Sequence, residues 1–587
     1  MTRLAFKPAV GLYGSHDPSA ALFDDDGLVF AVEEARLRRD KHAVGVFPER
    51  AIEACLDHAD ARLGALDRVL LPYEPSLQFE LLGHYLRDAV RVGRRRPGAA
   101  VEHLAGTAAK LFRAGVRPTD AVERRLAEVG TVPPIETRPH HRCHAASAFH
   151  PSGFEEALVV TLDAKGEHDA TVVWRGTSDG LERVRTYEHP NSLGLFFAAV
   201  TEYLGFRMFN GEGKVMGLAP YGSPNPDIES ALRECIETGV DYDVTALTGR
   251  WGTGHGVREL AALFDRPPRE EPGEFTDWEA DLAHVAQQLL TETALDVVTH
   301  YAETFDTGNV ALAGGVALNC KMNQRVREAD PVEELFVQPV AHDAGLALGA
   351  GWLDLPPEEV PHMRDAYLGP AVTTEEVASV LSAGKLRYRS VEQSYRTVAE
   401  LLADGALVGW FQNRLEFGPR ALGNRSILAD PRTAAARDRI NRHVKDRADW
   451  RPFAPAMLES AADRYLQDAE PAPFMIRTFD TCPDARDEIE AALHPADHTT
   501  RPQTVTAGQN PRFHRLLSEF ADLTGVPVLL NTSFNVSGEP IVAGPVDAVR
   551  DFYATGLDAL VIEDLLLLKD TDVDRDPDRA ASDRNPV

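Results

Sequence analysis

The chain has 587 residues, 44% of them hydrophobic, which is too much for one core and predicts two large domains or more. A formal net charge of -30 opposes binding to nucleic acid or to anionic membranes unless a local basic patch intervenes, and 26% charged residues without a low-complexity tract argue for a folded chain. Five scattered cysteines without a CxxC pair, no apolar signal-type region in MTRLAFKPAVGLYG and no apolar run of membrane-spanning length predict a cytoplasmic protein, not a disulfide framework or a membrane protein.

In chain order, Ala9–Tyr13 reads as a strand, GSHDPS as a turn, and Ala20–Phe23 with Leu28–Val32 as a hairpin around Asp24–Gly27. Glu33, Glu34, Arg36, Lys41 and His42 read as a charged, helix-like, solvated stretch. Residues 78–128 read as an Arg-rich helix and loop with a solvated face. Ala157–Leu162 is a buried-strand run, followed by an acidic turn beginning at Asp163 and a strand at Ala170–Trp174. Strand, acidic turn and strand thus occur twice, more than a hundred residues apart. That repetition points to a duplicated α/β fold of the kind shared by actin, sugar kinases and heat-shock ATPases, in which acidic turns face a nucleotide. A long amphipathic helix runs from Asp277 to about Tyr301, with strands at Asn309–Leu312 and Leu335–Val340. The Pro-rich acidic text at 353–368 marks a domain boundary, and Leu407–Phe411 and Val526–Leu530 are strands beyond it. The organisation read from this is 1–358, 359–570 and an Asp-rich, apolar-poor tail, 571–587, expected to be disordered.

Several motifs carry chemistry. His140 and His144 are four apart, so on a helix they share one face and can bind one metal. Asp343, on a turn after a strand, would complete a two-histidine, one-carboxylate set suited to iron or zinc; its bland role is a helix N-cap on AGLALGAG. His16 and Asp17 stand in a tight turn, where a His–Asp pair polarises a hydroxyl or simply caps the backbone. Gly314 and Gly315, leading to Asn319, follow a strand and let backbone approach a nucleotide. The segment Glu416–Ser426 packs Arg420, Arg425 and glycines into a span that suits bidentate phosphate binding. Lys445 and Arg447 lead to Arg451, and the NTSFN run, with Asn531, Ser533 and Asn535, sits at the C-terminal end of a buried strand, where α/β sheets bind ligands. Lysine is scarce, with nine in the chain, so a lysine kept where arginine is the usual basic residue is a candidate for a specific role.

The blocks HDPSAALFDDDG, HHRCHAASAF, NSLGLFFAAVTEYLGF, GKVMGLAPYG, AGGVALNC, EFGPRALGNRSILADPR, RPFAPAML, RPQTV and LLNTSFNVSGEP occur in order along the chain. In that order they resemble the NodU/CmcH carbamoyltransferases, which include the tobramycin and cephem O-carbamoyltransferases. The resemblance implies an α/β protein with an N-terminal duplicated actin/sugar-kinase-like (ASKHA) domain carrying carbamoyl transfer and a metal site, and a C-terminal YrdC-like α/β domain forming carbamoyladenylate. It implies ATP and carbamoyl phosphate as substrates, Mg²⁺, Fe²⁺ (or Zn²⁺) on His140, His144 and Asp343, and a small-molecule hydroxyl as acceptor. Lys445, Arg447 and Arg420 would neutralise phosphates; Asn531, Ser533 and Asn535 would hold ATP oxygens and Mg²⁺. Asp163, Gly314, Gly315 and Asn319 would line the nucleotide in the N-terminal domain. His16 would be base or orienter, with Lys41 stabilising charge.

Some positions depart from the family pattern: His342 before Asp343, Ala164 and Lys165 after Asp163, His498 after Asp497, and Asp446 and Ala448 after the HVK segment. Rival readings are a small-molecule kinase of the actin/sugar-kinase superfold and a non-catalytic nucleotide-binding scaffold. The first leaves the NTSFN and EFGPRALGNRS blocks without a role; the second gives no reason for the metal set. No nucleic acid or membrane partner is expected, and the sequence is compatible with a homodimer without fixing it.

Overall fold

The apolar segments SAALFD and GLVFAVE flank an Asp-Asp turn, and in the computed structural model they form the expected hairpin, β2 (Ser19–Asp24) and β3 (Gly27–Glu33). The structure describes residues 1–8, 16–74, 118–248, 254–271, 273–391, 395–445, 447 and 450–569. The strand expected at Ala9–Tyr13, Gly14 and Ser15 of the first turn, residues 78–117 of the Arg-rich segment, Asp446, Ala448 and the tail lie outside these.

Two units make up the described chain, one built from Met1–Glu34 and His42–Met363, the other from Ala35–Lys41 with the chain from Arg364 onward. The first unit holds two five-stranded sheets. In one, β1 (Arg3–Lys7), an uninterrupted buried strand, pairs antiparallel with β2, and parallel with β4 (Arg68–Leu71), which pairs parallel with β5 (Ile135–Thr137). Its order is β3-β2-β1-β4-β5. In the other, β6 (Ala157–Leu162), β7 (Asp169–Thr177) and β8 (Gly180–Glu188) form an antiparallel meander, and β9 (Asn309–Ala313) and β10 (Glu334–Val337) add parallel strands on the far side of β6. Its order is β8-β7-β6-β9-β10, strand for strand the arrangement of the first.

The amphipathic helix runs over Asp277–Phe305 and starts on a capping box between Thr276 and Glu279. The charged stretch that begins at the end of β3 is solvated at Lys41 but not, as its composition suggests, throughout. Glu33, Glu34 and Arg36 are buried, and the Glu34 carboxylate accepts the Ala51 N–H at 2.8 Å, near the start of helix Glu49–His58. A buried carboxylate with a backbone donor is satisfied, whereas composition registers only its charge.

The second unit is organised on an eight-stranded mixed sheet of β11 (Arg389–Ser390), β12 (Val408–Phe411), β13 (Arg425–Ala429), β14 (Ala454–Leu458), β17 (Gln503–Val505), β18 (Val528–Ser533), β19 (Ala559–Ile562) and β20 (Leu565–Leu568), in the order β11-β20-β19-β12-β13-β18-β14-β17. The intervening β15 (Phe479–Asp480) and β16 (Thr499–Thr500) pair antiparallel in a separate two-stranded ribbon. In the large sheet, alternate residues enter separate cores. Val408, Trp410, Leu428 and Leu529 join one cluster, while Phe411, Ile427, Ala429, Val528 and Leu530 join the other. The sheet is therefore buried on both faces, as near-continuous apolar strands require. No helix among the described residues is long and apolar enough to cross a membrane.

Candidate functional site

The first unit brings four ligating side chains together. Helix His140–Phe149 is buried along nearly its whole length, and its N–H at His140 is taken by the buried Glu167 carboxylate at 3.0 and 3.2 Å. His140 and His144 project from adjacent turns, so both Nε2 atoms point the same way. His140 Nε2 lies 3.1 Å from Asp163 Oδ2 and 3.8 Å from Asp343 Oδ1; His144 Nε2 lies 3.8 Å and 3.7 Å from the same two oxygens. One ligand atom from each residue lies within 4.8 Å of all the others. Asp163, expected beside a nucleotide, thus joins the expected His140, His144 and Asp343 as a fourth candidate ligand. Asp343 does not cap the following helix; its side chain faces the histidines and Lys7.

The electrostatics fit a cation. Burial disfavours ionised carboxylates, but His140 and His144 hold Asp163, and Lys7 and His144 hold Asp343, well below the usual range. Burial alone would push the His144 imidazole down, yet Asp163 and Asp343 outweigh it and raise it to about 9. Among the described residues, neither ring nitrogen of His144 has a hydrogen-bond partner, an orphaned pair that a metal would satisfy on one side. Two imidazoles and two carboxylates suit a divalent transition metal.

Backbone closes on this group. Asp163 Oδ1 accepts the Gly315 N–H at 3.2 Å, and Gly314 has φ +90° with its Cα against Leu162, so that a Cβ would collide with the Leu162 carbonyl oxygen. Asn319 is committed elsewhere: it caps helix Cys320–Arg327 through the Met322 N–H and exchanges two amide hydrogen bonds with Gln287. Nearby, Asp17 bridges two imidazoles. Its oxygens lie 2.8 Å from His16 Nδ1 and 2.8 Å from His42 Nδ1. Burial opposes both charges, but the pairing raises His16 and drops Asp17 well below the carboxylate range. The His16 ring stacks on Phe209 at 5.5 Å between centroids. Lys41 is exposed and belongs to the segment that groups with the second unit, where its charge reaches Lys445.

The second unit gathers cations. A π turn at Asn441–Lys445 ends with buried Lys445, whose ammonium donates to Ser533 O at 2.5 Å, Ser533 Oγ at 3.2 Å, Asn535 O at 3.0 Å and Asn535 Oδ1 at 2.7 Å. All four acceptors are neutral. Burial, with Arg447 and Arg451, pushes Lys445 well below the lysine range; burial, with Arg451 and Arg501, likewise lowers Arg447. Arg447 is oriented by Asn441 Oδ1 at 2.7 Å and by the Phe453 ring, 4.2 Å from its guanidinium carbon. Such a cluster is short of negative charge and suits a polyanion. Asn531 gives its amide to Gln503 at 3.1 Å, while Arg420 is half-buried in the loop after Gly418. Arg425 is structural: fully buried, it donates to the carbonyls of Gln412, Asn413 and Asn424 and lies over Phe411.

Reading the sequence misses Lys7, Glu167 and the role of Asp17 as a bridge. Lysine scarcity is the available signal for Lys7; nothing local marks Glu167, whose carboxylate accepts from the backbone of His140 and Glu74, 27 and 93 residues away.

Residues 9–352 match the family model "Carbamoyltransferase N-terminus" and residues 399–569 match "Carbamoyltransferase C-terminus". An uncharacterized protein of Synechocystis sp. is 37% identical over 96% of this chain and 97% of its own length. Nodulation protein NolNO of Sinorhizobium fredii is 35% identical over 96% of this chain and 81% of its own. The 3'-hydroxymethylcephem-O-carbamoyltransferase of Streptomyces clavuligerus is 32% identical over 58% of this chain and 61% of its own. Among solved structures, T. kodakarensis HypF superposes with a TM-score of 0.32 at 15% identity, covering 60% of this chain and 47% of that one, a likeness too slight to argue from. With both halves matched in order and two of these relatives aligned along 96% of it, the chain belongs to the carbamoyltransferase family of enzymes.

Proposed function

We propose that this protein is an ATP-dependent O-carbamoyltransferase for a small-molecule hydroxyl, of natural-product or sugar type. Water hydrolyses carbamoyl phosphate, breaking its C–O–P linkage to give carbamate and phosphate; a carbamate oxygen attacks the α-phosphorus of ATP, pyrophosphate leaves, and carbamoyladenylate results. The acceptor hydroxyl then attacks the carbamoyl carbon and AMP leaves. In this reading residues 1–358 form an actin/sugar-kinase-like transfer domain and 359–570 a YrdC-like adenylate-forming domain. The matching strand order of the two sheets in the first unit supports the former. The observation that carries the reading is Lys445, a buried ammonium whose four acceptors are neutral oxygens, among arginines inside the matched C-terminal region.

His140, His144, Asp163 and Asp343 would hold a divalent ion, iron or zinc by donor set, which when bound supplies Lewis acidity toward the carbamoyl donor. Lys445, Arg447 and Arg420 would neutralise the triphosphate, with Ser533 and Asn535 turning from Lys445 toward Mg²⁺ and phosphate oxygens. His16, its Nδ1 fixed by Asp17, would take the acceptor proton at Nε2. Gly314 and Gly315 would let backbone approach the adenylate closely. The cephem relative's printed name supports oxygen as the carbamoylated atom.

Pyrophosphate release from ATP, with and without carbamoyl phosphate, tests this. Release should require carbamoyl phosphate and vanish in Lys445→Ala. ADP formation dependent on an alcohol, without pyrophosphate, would replace this reading with a kinase.

A further inference from the structure

Each carboxylate of the metal group uses its two oxygens differently. Asp163 turns Oδ2 to the histidines while Oδ1 takes the Gly315 N–H at 3.2 Å. Asp343 turns Oδ1 to the histidines, at 3.8 and 3.7 Å, while Oδ2 is held by Lys7 Nζ at 2.9 Å. Lys7 is the last residue of β1, 2% exposed, and its ammonium also donates to the His16 carbonyl, on the chain that carries the proposed base. Register fixes this placement: Lys7 pairs across the hairpin with Ser19, whose hydroxyl donates to the Ala344 carbonyl at 2.8 Å, one residue beyond Asp343.

We propose that Lys7 is a positioning residue for the metal centre: it occupies the outer oxygen of Asp343, restricts that carboxylate to one ligating oxygen, and sets the charge of the loaded site. The inference rests on the metal reading above. Two carboxylates balance a divalent ion, so Lys7 leaves the loaded site with one positive charge in excess and favours an anionic oxygen as a further ligand. Without the lysine, Asp343 is free to ligate through both oxygens, and the coordination number rises while the preference for an anion falls.

The test loads full-length protein with Co²⁺ and reads its d–d absorption and the binding of inorganic phosphate. Wild type should bind one Co²⁺ with an intense, low-coordinate spectrum that responds to phosphate. Lys7→Met, which lacks both donor and charge, should give the weaker bands of a higher coordination number and bind phosphate on the order of tenfold less tightly. Lys7→Gln keeps a donor for Asp343 Oδ2 but not the charge; it should retain the wild-type spectrum and share the phosphate defect. Folding is checked by circular dichroism, and Lys7→Gln is the informative variant if Lys7→Met does not fold. A folded Lys7→Met or Lys7→Gln with wild-type bands and wild-type phosphate affinity would overturn the role of Lys7 alone. Wild type that takes up no Co²⁺ would overturn the metal reading along with it.

Discussion

At His144, two buried carboxylates stand against an imidazole with no hydrogen-bond partner among the described residues, and its protonation reports on what occupies the group. In metal-free protein its folded pKa, about 9, lies above the unfolded value of 6.5. The resulting stability is present in full below pH 6.5 and is lost as pH rises through 9, on the order of 3 kcal/mol in all. Urea midpoints of metal-free protein should therefore fall across that window, and His144→Gln should flatten the slope. A bound divalent ion needs the neutral ring, so metal-loaded protein should show the opposite trend, gaining stability as pH rises. Asp163→Asn tests the fourth ligand: metal stoichiometry should drop while the fold persists, whereas a nucleotide-only role would leave the bound metal unchanged.

Elements, not single residues, bring the histidines into place. Helix His140–Phe149 packs on helix Leu346–Trp352 so closely that a Cβ at Gly349 would collide with the Cys143 carbonyl oxygen. Gly349→Ala must push the helices apart, at a cost of about 1–3 kcal/mol. Because Asp343 precedes one helix and both histidines lie on the other, the variant should also weaken metal binding, which calorimetric titration would read. The periodic and alternating elements are legible in the sequence. Ala157–Leu162 matches β6 residue for residue, and the helix from Asp277 ends four residues past its expected limit. Strand β1 is not legible in the same way: RLAFK begins and ends on basic residues, and its burial depends on β2 and β4 flanking it rather than on its own composition.

Across the whole molecule, the chain enters the second unit twice, since residues 35–41 group there before the first unit resumes at His42. Within that unit Arg39 donates to Glu539 Oε2 and to the Ile541 carbonyl, both at 2.7 Å, and lies 3.5 Å from buried Asp551. Arg39→Ala should destabilise this unit by about 3 kcal/mol, because Asp551 keeps its burial and loses one of its two arginines. Hydrogen exchange should show the loss confined to residues of the second unit. The sequence by itself determined the family, from motif text in order, and the HxxxH pair and basic clusters, because helical spacing and side-chain chemistry are local properties. Only the tertiary structure decided that Asp163 faces the same point as Asp343, that Lys7 holds the outer oxygen of Asp343, and that Asn319 is spent on Gln287. Those contacts join residues from 32 to more than 300 positions apart, and such pairing follows from sheet register and helix packing, which no local pattern encodes.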